Sequence, residues 1–264
     1  MEDGPIGVFD SGIGGLTVLR ELINHLPGES FVYFGDTARV PYGTKSAETV
    51  QRFSRENVRL LLERGVKSVV VACNTASSAA LPMLQKEFSV PVVGVIEPGV
   101  RAAVKASATG RIGVIGTAGT IRSGAYQEGI KRLRPQADVI AQSCPLFVPL
   151  VEEGWIDHEV TELVASEYLR EFAQRDIDTL VLGCTHYPLL KPVIARVMGP
   201  MVKLVDSAVE TAREMVRVIA RENLSGWTGR GRFSVILSDT SPSFEEIARR
   251  FLGRDIPAVE LVNR

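Results

Sequence analysis

Val69-Val70-Val71-Ala72-Cys73-Asn74-Thr75 and Leu180-Val181-Leu182-Gly183-Cys184-Thr185-His186 share one design. Each is a short apolar run that ends in a cysteine and then turns to small polar residues. A strand buried on both faces of a parallel sheet reads as a continuous apolar run rather than an alternating one. The carboxyl ends of such strands are where open α/β sheets bind ligands. Two thiols placed this way, one in each half of the chain, point to a site reached by sulfur from both sides.

Working outward from these runs, strand-like segments alternate with helical periodicity, as in a parallel α/β sheet. Strands are expected at 6–9, 31–34, 68–72, 92–95, 112–115, 139–141, 179–182 and 203–205. Leu16, Leu19, Leu22, Ile23 and Leu26 recur at helical spacing, and Pro27-Gly28 stops that helix. A long amphipathic helix is expected over 46–64, ended by Gly65. A last unit reads strand 233–237, helix 243–251 and a short strand over 258–262.

The pattern repeats. Ile6-Gly7-Val8-Phe9, with Ser11 and Gly12 after it, resembles Ile112-Gly113-Val114-Ile115, with Thr117 and Gly119 after it, at an offset of 106. The two cysteine strands are offset by 111, in the same order. Two related halves follow, with a ligand cleft between them that both cysteines face.

Bulk properties narrow the class. The 264 residues suffice for one large domain or two modest ones, and 45% hydrophobic with 23% charged residues is an ordinary globular balance. A net charge of -1 gives no footprint for nucleic acid or an anionic membrane. No apolar run approaches the roughly 20 residues of a membrane span. The start, Met1-Glu2-Asp3-Gly4-Pro5, does not read as a secretory signal, so a cytoplasmic location is expected. Three cysteines are too few for a disulfide scaffold, and a reducing compartment leaves them as thiols.

Several groups near these strand ends carry chemistry. Asp10-Ser11-Gly12-Ile13-Gly14-Gly15 follows a strand and precedes a helix, but a dinucleotide fingerprint would need glycine where Thr17 stands. What remains is a glycine-rich turn suited to an anion, with Asp10 readable as an ammonium ligand or as a helix cap. Pro41-Tyr42-Gly43-Thr44 lies in a loop after the second strand, where Tyr42 offers a hydroxyl and Gly43 an approachable amide, or where a proline merely starts a turn. Glu152, in Glu152-Glu153-Gly154-Trp155, reads as a catalytic or a solvated carboxylate. Cys144, before Pro145, reads as a small core residue. Cys73, Cys184 and His186 have donors that zinc accepts, but a structural zinc site needs a second Cys or His pair that the chain lacks, so no metal is expected. His186 is placed to tune the neighbouring thiol instead.

The segments Phe9 to Leu16, Pro41-Tyr42-Gly43, Ala72-Cys73-Asn74-Thr75-Ala76, Val151-Glu152-Glu153-Gly154 and Gly183-Cys184-Thr185-His186-Tyr187-Pro188 together resemble the cofactor-independent aspartate/glutamate racemase superfamily, and within it the glutamate racemases. The resemblance implies two pseudo-symmetric three-layer α/β domains with mainly parallel sheets and the active site in the interdomain cleft. The first domain would take 1–96 plus a returning 208–264, and the second 97–207. It implies interconversion of L- and D-glutamate for peptidoglycan synthesis, no cofactor, and a homodimer. By the same resemblance Cys73 and Cys184 act on opposite faces of Cα, Asp10 assists Cys73, and Glu152 and His186 assist Cys184. Asp10, Ser11, Pro41, Tyr42, Gly43, Asn74, Thr75, Thr117, Thr185 and His186 would hold the substrate. The first strand starts at Ile6, without the extension some members use for activation by a cell-wall precursor, so that regulation is not expected. Competing readings are an aspartate or hydantoin racemase, a two-domain binding protein that uses the cleft without chemistry, and a metal-dependent hydrolase.

Overall fold

The computed structural model describes residues 4–224, 231–241 and 244–263. Among these, strands form at Ile6–Asp10 (β1), Phe31–Gly35 (β2), Ser68–Val71 (β3), Val92–Gly94 (β4), Arg111–Gly116 (β5), Asp138–Ser143 (β6), Thr179–Gly183 (β7), Lys203–Asp206 (β8), Phe233–Leu237 (β9) and Val259–Leu261 (β10). They make two sheets, ordered β10-β9-β2-β1-β3-β4 and β6-β5-β7-β8, and every pairing is parallel.

The expected repeat is visible in that order. β2-β1-β3-β4 in the first sheet has the same connectivity as β6-β5-β7-β8 in the second. The last strands, β9 and β10, return to extend the first sheet beside β2 and have no counterpart in the other.

Burial on both faces explains the continuous apolar strands. Val8 and Val70 of the first sheet face a core shared with Ile115, Leu180 and Leu182 of the second, whereas Phe9, Val69 and Val71 face a core of their own under the helices Ala47–Glu63 and Asn74–Glu87. In the second sheet Ile112, Val114 and Val181 turn outward against Val100, Tyr126 and Ile130 of two covering helices. Each sheet is therefore the middle of three layers, with one apolar mass continuous between the two. At about 25 cal/mol per Å2 of apolar area, this burial is the main source of stability.

Helix ends follow their capping chemistry. Ser46 accepts the Thr49 N–H at 3.3 Å and starts the long helix, which runs to Glu63 before Gly65 turns with φ +70°. The fourth strand stops at Gly94 rather than 95, because Val95 already stands at the amino end of the Ile96–Ala106 helix. β6 reaches Asp138 and Ser143, beyond the expected 139–141: as an edge strand it is only half buried, so its ends lack an apolar signal. The C-terminal helix spans Phe244–Leu252, and Ser243, where it was expected to begin, lies outside the described residues, as do Met1 to Asp3. The glycine- and proline-rich stretch after β2 holds two single helical turns, Thr37–Arg39 and Tyr42–Thr44. No helix among the described residues is long and apolar enough to cross a membrane.

Candidate active site

In the first sheet β1 lies between β2 and β3, so chain order reverses there; in the second, β5 lies between β6 and β7 in the same way. Such reversals open a crevice at the carboxyl edge of a parallel sheet. Here both crevices contribute to one cavity of about 330 Å3. The first supplies Ser11, Cys73, Asn74 and Thr75, and the second Thr117, Cys184, Thr185 and His186. Pro41, Tyr42 and Gly43 line it from the loop after β2, and Glu152 from the end of the Phe147–Glu152 helix. Of the residues expected to act on or hold a substrate, Asp10 alone stands behind the wall rather than in it.

Cys73 follows β3 and occupies the cap position of the Asn74–Glu87 helix, where its sulfur accepts the Ala76 N–H at 3.4 Å. Ser, Thr, Asp or Asn would satisfy that position better, so capping alone does not account for a cysteine. Its thiol donates toward Ser11 Oγ at 3.6 Å. Burial pushes this thiol up to about 12, and the Asp10 carboxylate adds to the effect. Asp10 is itself fully buried; burial raises its carboxyl above the usual range, against the pull of His186 and the N–H groups of Gly12 and Gly15. The Gly12 N–H reaches Asp10 Oδ2 at 2.9 Å, and Thr185 Oγ1 reaches Oδ1 at 3.5 Å. Asp10 thus bridges the first glycine-rich turn and the second cysteine strand.

Cys184 follows β7, 7% exposed against 6% for Cys73, so both residues are almost out of contact with bulk water. His186 Nδ1 stands 3.8 Å from Cys184 Sγ and 3.5 Å from Thr185 Oγ1, while Nε2 is 2.9 Å from Glu152 Oε1. Burial opposes the imidazolium, but hydrogen bonds to the Cys184 sulfur and the Glu152 carboxylate outweigh it and raise His186 from 6.5 to about 10. A protonated His186 donates from both ring nitrogens, one to each partner. The two sulfurs therefore have different company: a buried carboxyl near Cys73, and an imidazole with its own carboxylate near Cys184.

Small and hydroxylic side chains join the two halves around the cavity. Thr75, Thr117 and Thr120 hydroxyls form a triangle with edges of 2.8, 3.1 and 3.3 Å. Gly43 packs on Thr117, where a Cβ would come within 2.8 Å of the threonine Cβ. Gly14 has still less room, because a Cβ there would sit 2.3 Å from Thr185 Oγ1 and 2.5 Å from His186 Nδ1. Asn74 accepts a 2.7 Å hydrogen bond from Tyr126 through Oδ1, and its Nδ2 has no partner among the described residues.

Tyr42 lines the cavity with its hydroxyl engaged by protein partners. The group for which the sequence recommended it donates to Asp36 and accepts from Asn57 at 3.1 Å. Three residues escaped the sequence reading altogether. Phe251, from the C-terminal helix, meets the His186 ring edge-on at 5.1 Å. Tyr126 and Thr120 buttress Asn74 and Thr117. Phe251 and Tyr126 lie far along the chain from their partners, so only tertiary structure joins them, whereas Thr120 stands one helical turn after Thr117 and meets it locally. Cys144 is fully buried off the cavity, as a core residue.

The chain matches the family model described as Asp/Glu/hydantoin racemase over residues 6–215. A curated glutamate racemase of Geobacter metallireducens is 56% identical over 249 residues, 94% of this chain and 92% of that protein. A glutamate racemase isoform of Bacillus anthracis superposes with a TM-score of 0.95 at 42% identity, covering 100% of this chain and 98% of the other. The Francisella tularensis glutamate racemase, solved in complex with D-glutamate, gives 0.94 at 38% identity over 100% and 98% of the two chains. The chain belongs to the Asp/Glu/hydantoin racemase family, is an amino-acid racemase, and stands among the glutamate racemases of that family.

Proposed function

We propose that this chain interconverts L- and D-glutamate, with Cys73 and Cys184 transferring protons at opposite faces of Cα. The observation that carries the reading is that two thiols, at equivalent strand ends of two equivalent sheets, line one cavity. One sulfur, as thiolate, takes the Cα proton; the carbanion then takes a proton from the thiol on the other side. One C–H bond and one S–H bond break, and one of each forms, so the enzyme ends with its proton on the opposite sulfur. Asp10 acts on Cys73 through its charge and holds the first glycine-rich turn, and His186 with Glu152 acts on Cys184.

Among the described residues neither lysine nor arginine lines the cavity, so substrate carboxylates would rest on neutral donors. Ser11, Asn74, Thr75, Thr117 and Thr185, with Gly43 and the neighbouring amides, supply them, and two helices present their amino ends, at Asn74 and Ala118. Preorganised donors in a water-poor site are the physical means of stabilising a carbanion from a very weak acid. Among the described residues no lining lysine stands ready to form a Schiff base with a carbonyl cofactor, which favours chemistry by the chain's own groups.

The same reading places the protein in the cytoplasm, supplying D-glutamate to peptidoglycan, with domains at 1–96 plus 208–264 and at 97–207. It also makes the protein a homodimer: Leu146, Trp155 and Leu163 are 51%, 44% and 71% exposed beside an apolar groove, a surface suited to another copy. Sedimentation at micromolar concentration reads that state, and a monomer would remove it from the proposal.

The decisive experiment follows the optical signal of L-glutamate, and separately of L-aspartate, without added cofactor. Racemisation of glutamate, with deuterium entering Cα in deuterated water, is expected. Cys73→Ala and Cys184→Ala should each abolish it while leaving the melting temperature within a few degrees. Full activity in either variant would refute the two-thiol mechanism, and a preference for aspartate would refute the substrate.

A further inference from the structure

The Tyr126 ring is fully buried in a slot formed by two glycines. A Cβ on Gly99 would lie 3.2 Å from the ring and hydroxyl, and one on Gly183 would lie 3.1 Å from its other edge. Gly183 directly precedes Cys184, so the space for this ring is built into the second cysteine strand. The hydroxyl donates to Asn74 Oδ1 at 2.7 Å. Burial pushes the phenol well up, so it remains an O–H donor across the working pH range.

Asn74 is 3% exposed and lines the cavity, and its Nδ2 has no partner among the described residues. A buried amide nitrogen left unpaired costs about 1–3 kcal/mol, a cost that a ligand oxygen would remove. Because an asparagine amide can turn over and exchange its oxygen and nitrogen, something must dictate which end accepts and which donates. Tyr126 does this: an O–H bound to Oδ1 leaves Nδ2 as the end available to a ligand.

We propose that Tyr126 is a positioning residue, which orients the Asn74 amide through its hydroxyl so that Nδ2 donates to a substrate carboxylate. The inference deepens the reading of this cavity as a glutamate racemase site and rests on it. It also gives the two halves a direct stake in one contact, since Tyr126 comes from the helix Ala125–Leu133 over the second sheet and Asn74 from the first.

Tyr126→Phe tests it, because phenylalanine keeps the ring in the slot. An amide that grips a carboxylate equally in ground and transition states affects KM rather than kcat. The expected outcome is a KM for glutamate raised about tenfold with kcat within about threefold, on the scale of one lost hydrogen bond. A purely structural role predicts a lower melting temperature without that split. In an Asn74→Ala background Tyr126→Phe should add nothing further to KM, because the group it orients is gone. An unchanged KM in the single variant, or an additive rise in the double variant, overturns the proposal. Should Tyr126→Phe fail to fold, an atomic-resolution structure of the unaltered protein with glutamate bound decides instead: Asn74 Nδ2 against a substrate carboxylate oxygen supports the proposal, and Oδ1 there overturns it. Should the unaltered protein fail to racemise glutamate, the functional reading falls and the positioning claim is judged separately. An atomic-resolution structure of Tyr126→Phe then decides it: a reoriented or mixed Asn74 amide supports the claim and an unchanged one refutes it.

Discussion

Replacing Glu152 by glutamine removes a charge from the His186 pair while keeping an oxygen that accepts from Nε2. In the folded protein His186 titrates near 10, against 6.5 ordinarily. A group with a raised folded-state value contributes its full stability below the unfolded value, here about 6.5, and loses it as pH climbs through about 10. The difference of about 3.5 units, at 1.36 kcal/mol each, is about 5 kcal/mol for all of the imidazolium's surroundings together. Glu152 supplies part of this beside Cys184, and its side chain is 43% exposed, so water screens the attraction. About 1–2 kcal/mol of destabilisation at pH 7 is therefore expected in Glu152→Gln, together with a fall of about one unit in the His186 midpoint. Urea unfolding at pH 7, 9 and 11, beside an imidazole titration followed by NMR, measures both. The deficit should be full at pH 7 and fade by pH 11, where both proteins carry a neutral ring. An equal deficit at all three values, or an unmoved midpoint, would show that the carboxylate does not support the imidazolium.

Two further outcomes follow from packing and charge. Gly14→Ala should cut glutamate turnover at least tenfold while costing about 1–3 kcal/mol of stability, because the new methyl collides with Thr185 and His186; wild-type turnover in a folded variant would contradict this. Lys67, 1% exposed, pairs with Glu29 at 2.6 Å and donates to the Leu224 carbonyl at 2.7 Å, so Lys67→Met leaves a carboxylate stranded. A loss of about 3–5 kcal/mol in denaturant unfolding is expected, and a loss under 1 kcal/mol would mean that water reaches Glu29.

The parallel strands were legible because burial on both faces writes a continuous apolar run, and the repeat because two sheets need the same run in the same order. Cys73 and Cys184 stood out for the same reason, as polar endings of otherwise apolar segments. Side-chain direction was not legible. Tyr42 sits in the loop where it was expected, yet its hydroxyl goes to Asp36 and accepts from Asn57, partners that no local pattern announces. Asp10 carries a ligand-like side chain, but the glycines after it fold the chain over it. Phe251 and Tyr126 belong to helices whose amphipathic pattern announces only a core contact; nothing local distinguishes a phenylalanine that meets His186 from one that meets leucine. β6 lost its ends in the reading because an edge strand has water on one side and therefore no continuous run.

The return of β9 to the first sheet has a consequence in time. Phe31 pairs with Phe233 in the register of β2 and β9, and their flanking residues, Ser30 and Arg232, are hydrogen-bonded across 202 positions of sequence. On a ribosome moving at about 5–20 residues per second, β2 is out of the tunnel for roughly 10–40 s before the strand that covers it exists. Throughout that interval its outer edge offers unpaired peptide groups on a fully buried-type, apolar strand, the kind of edge that recruits other chains. The second sheet, complete by β8, has no such wait. The half of the molecule made first is thus the half finished last, and nascent-chain chaperoning bears on it more than on the half that follows.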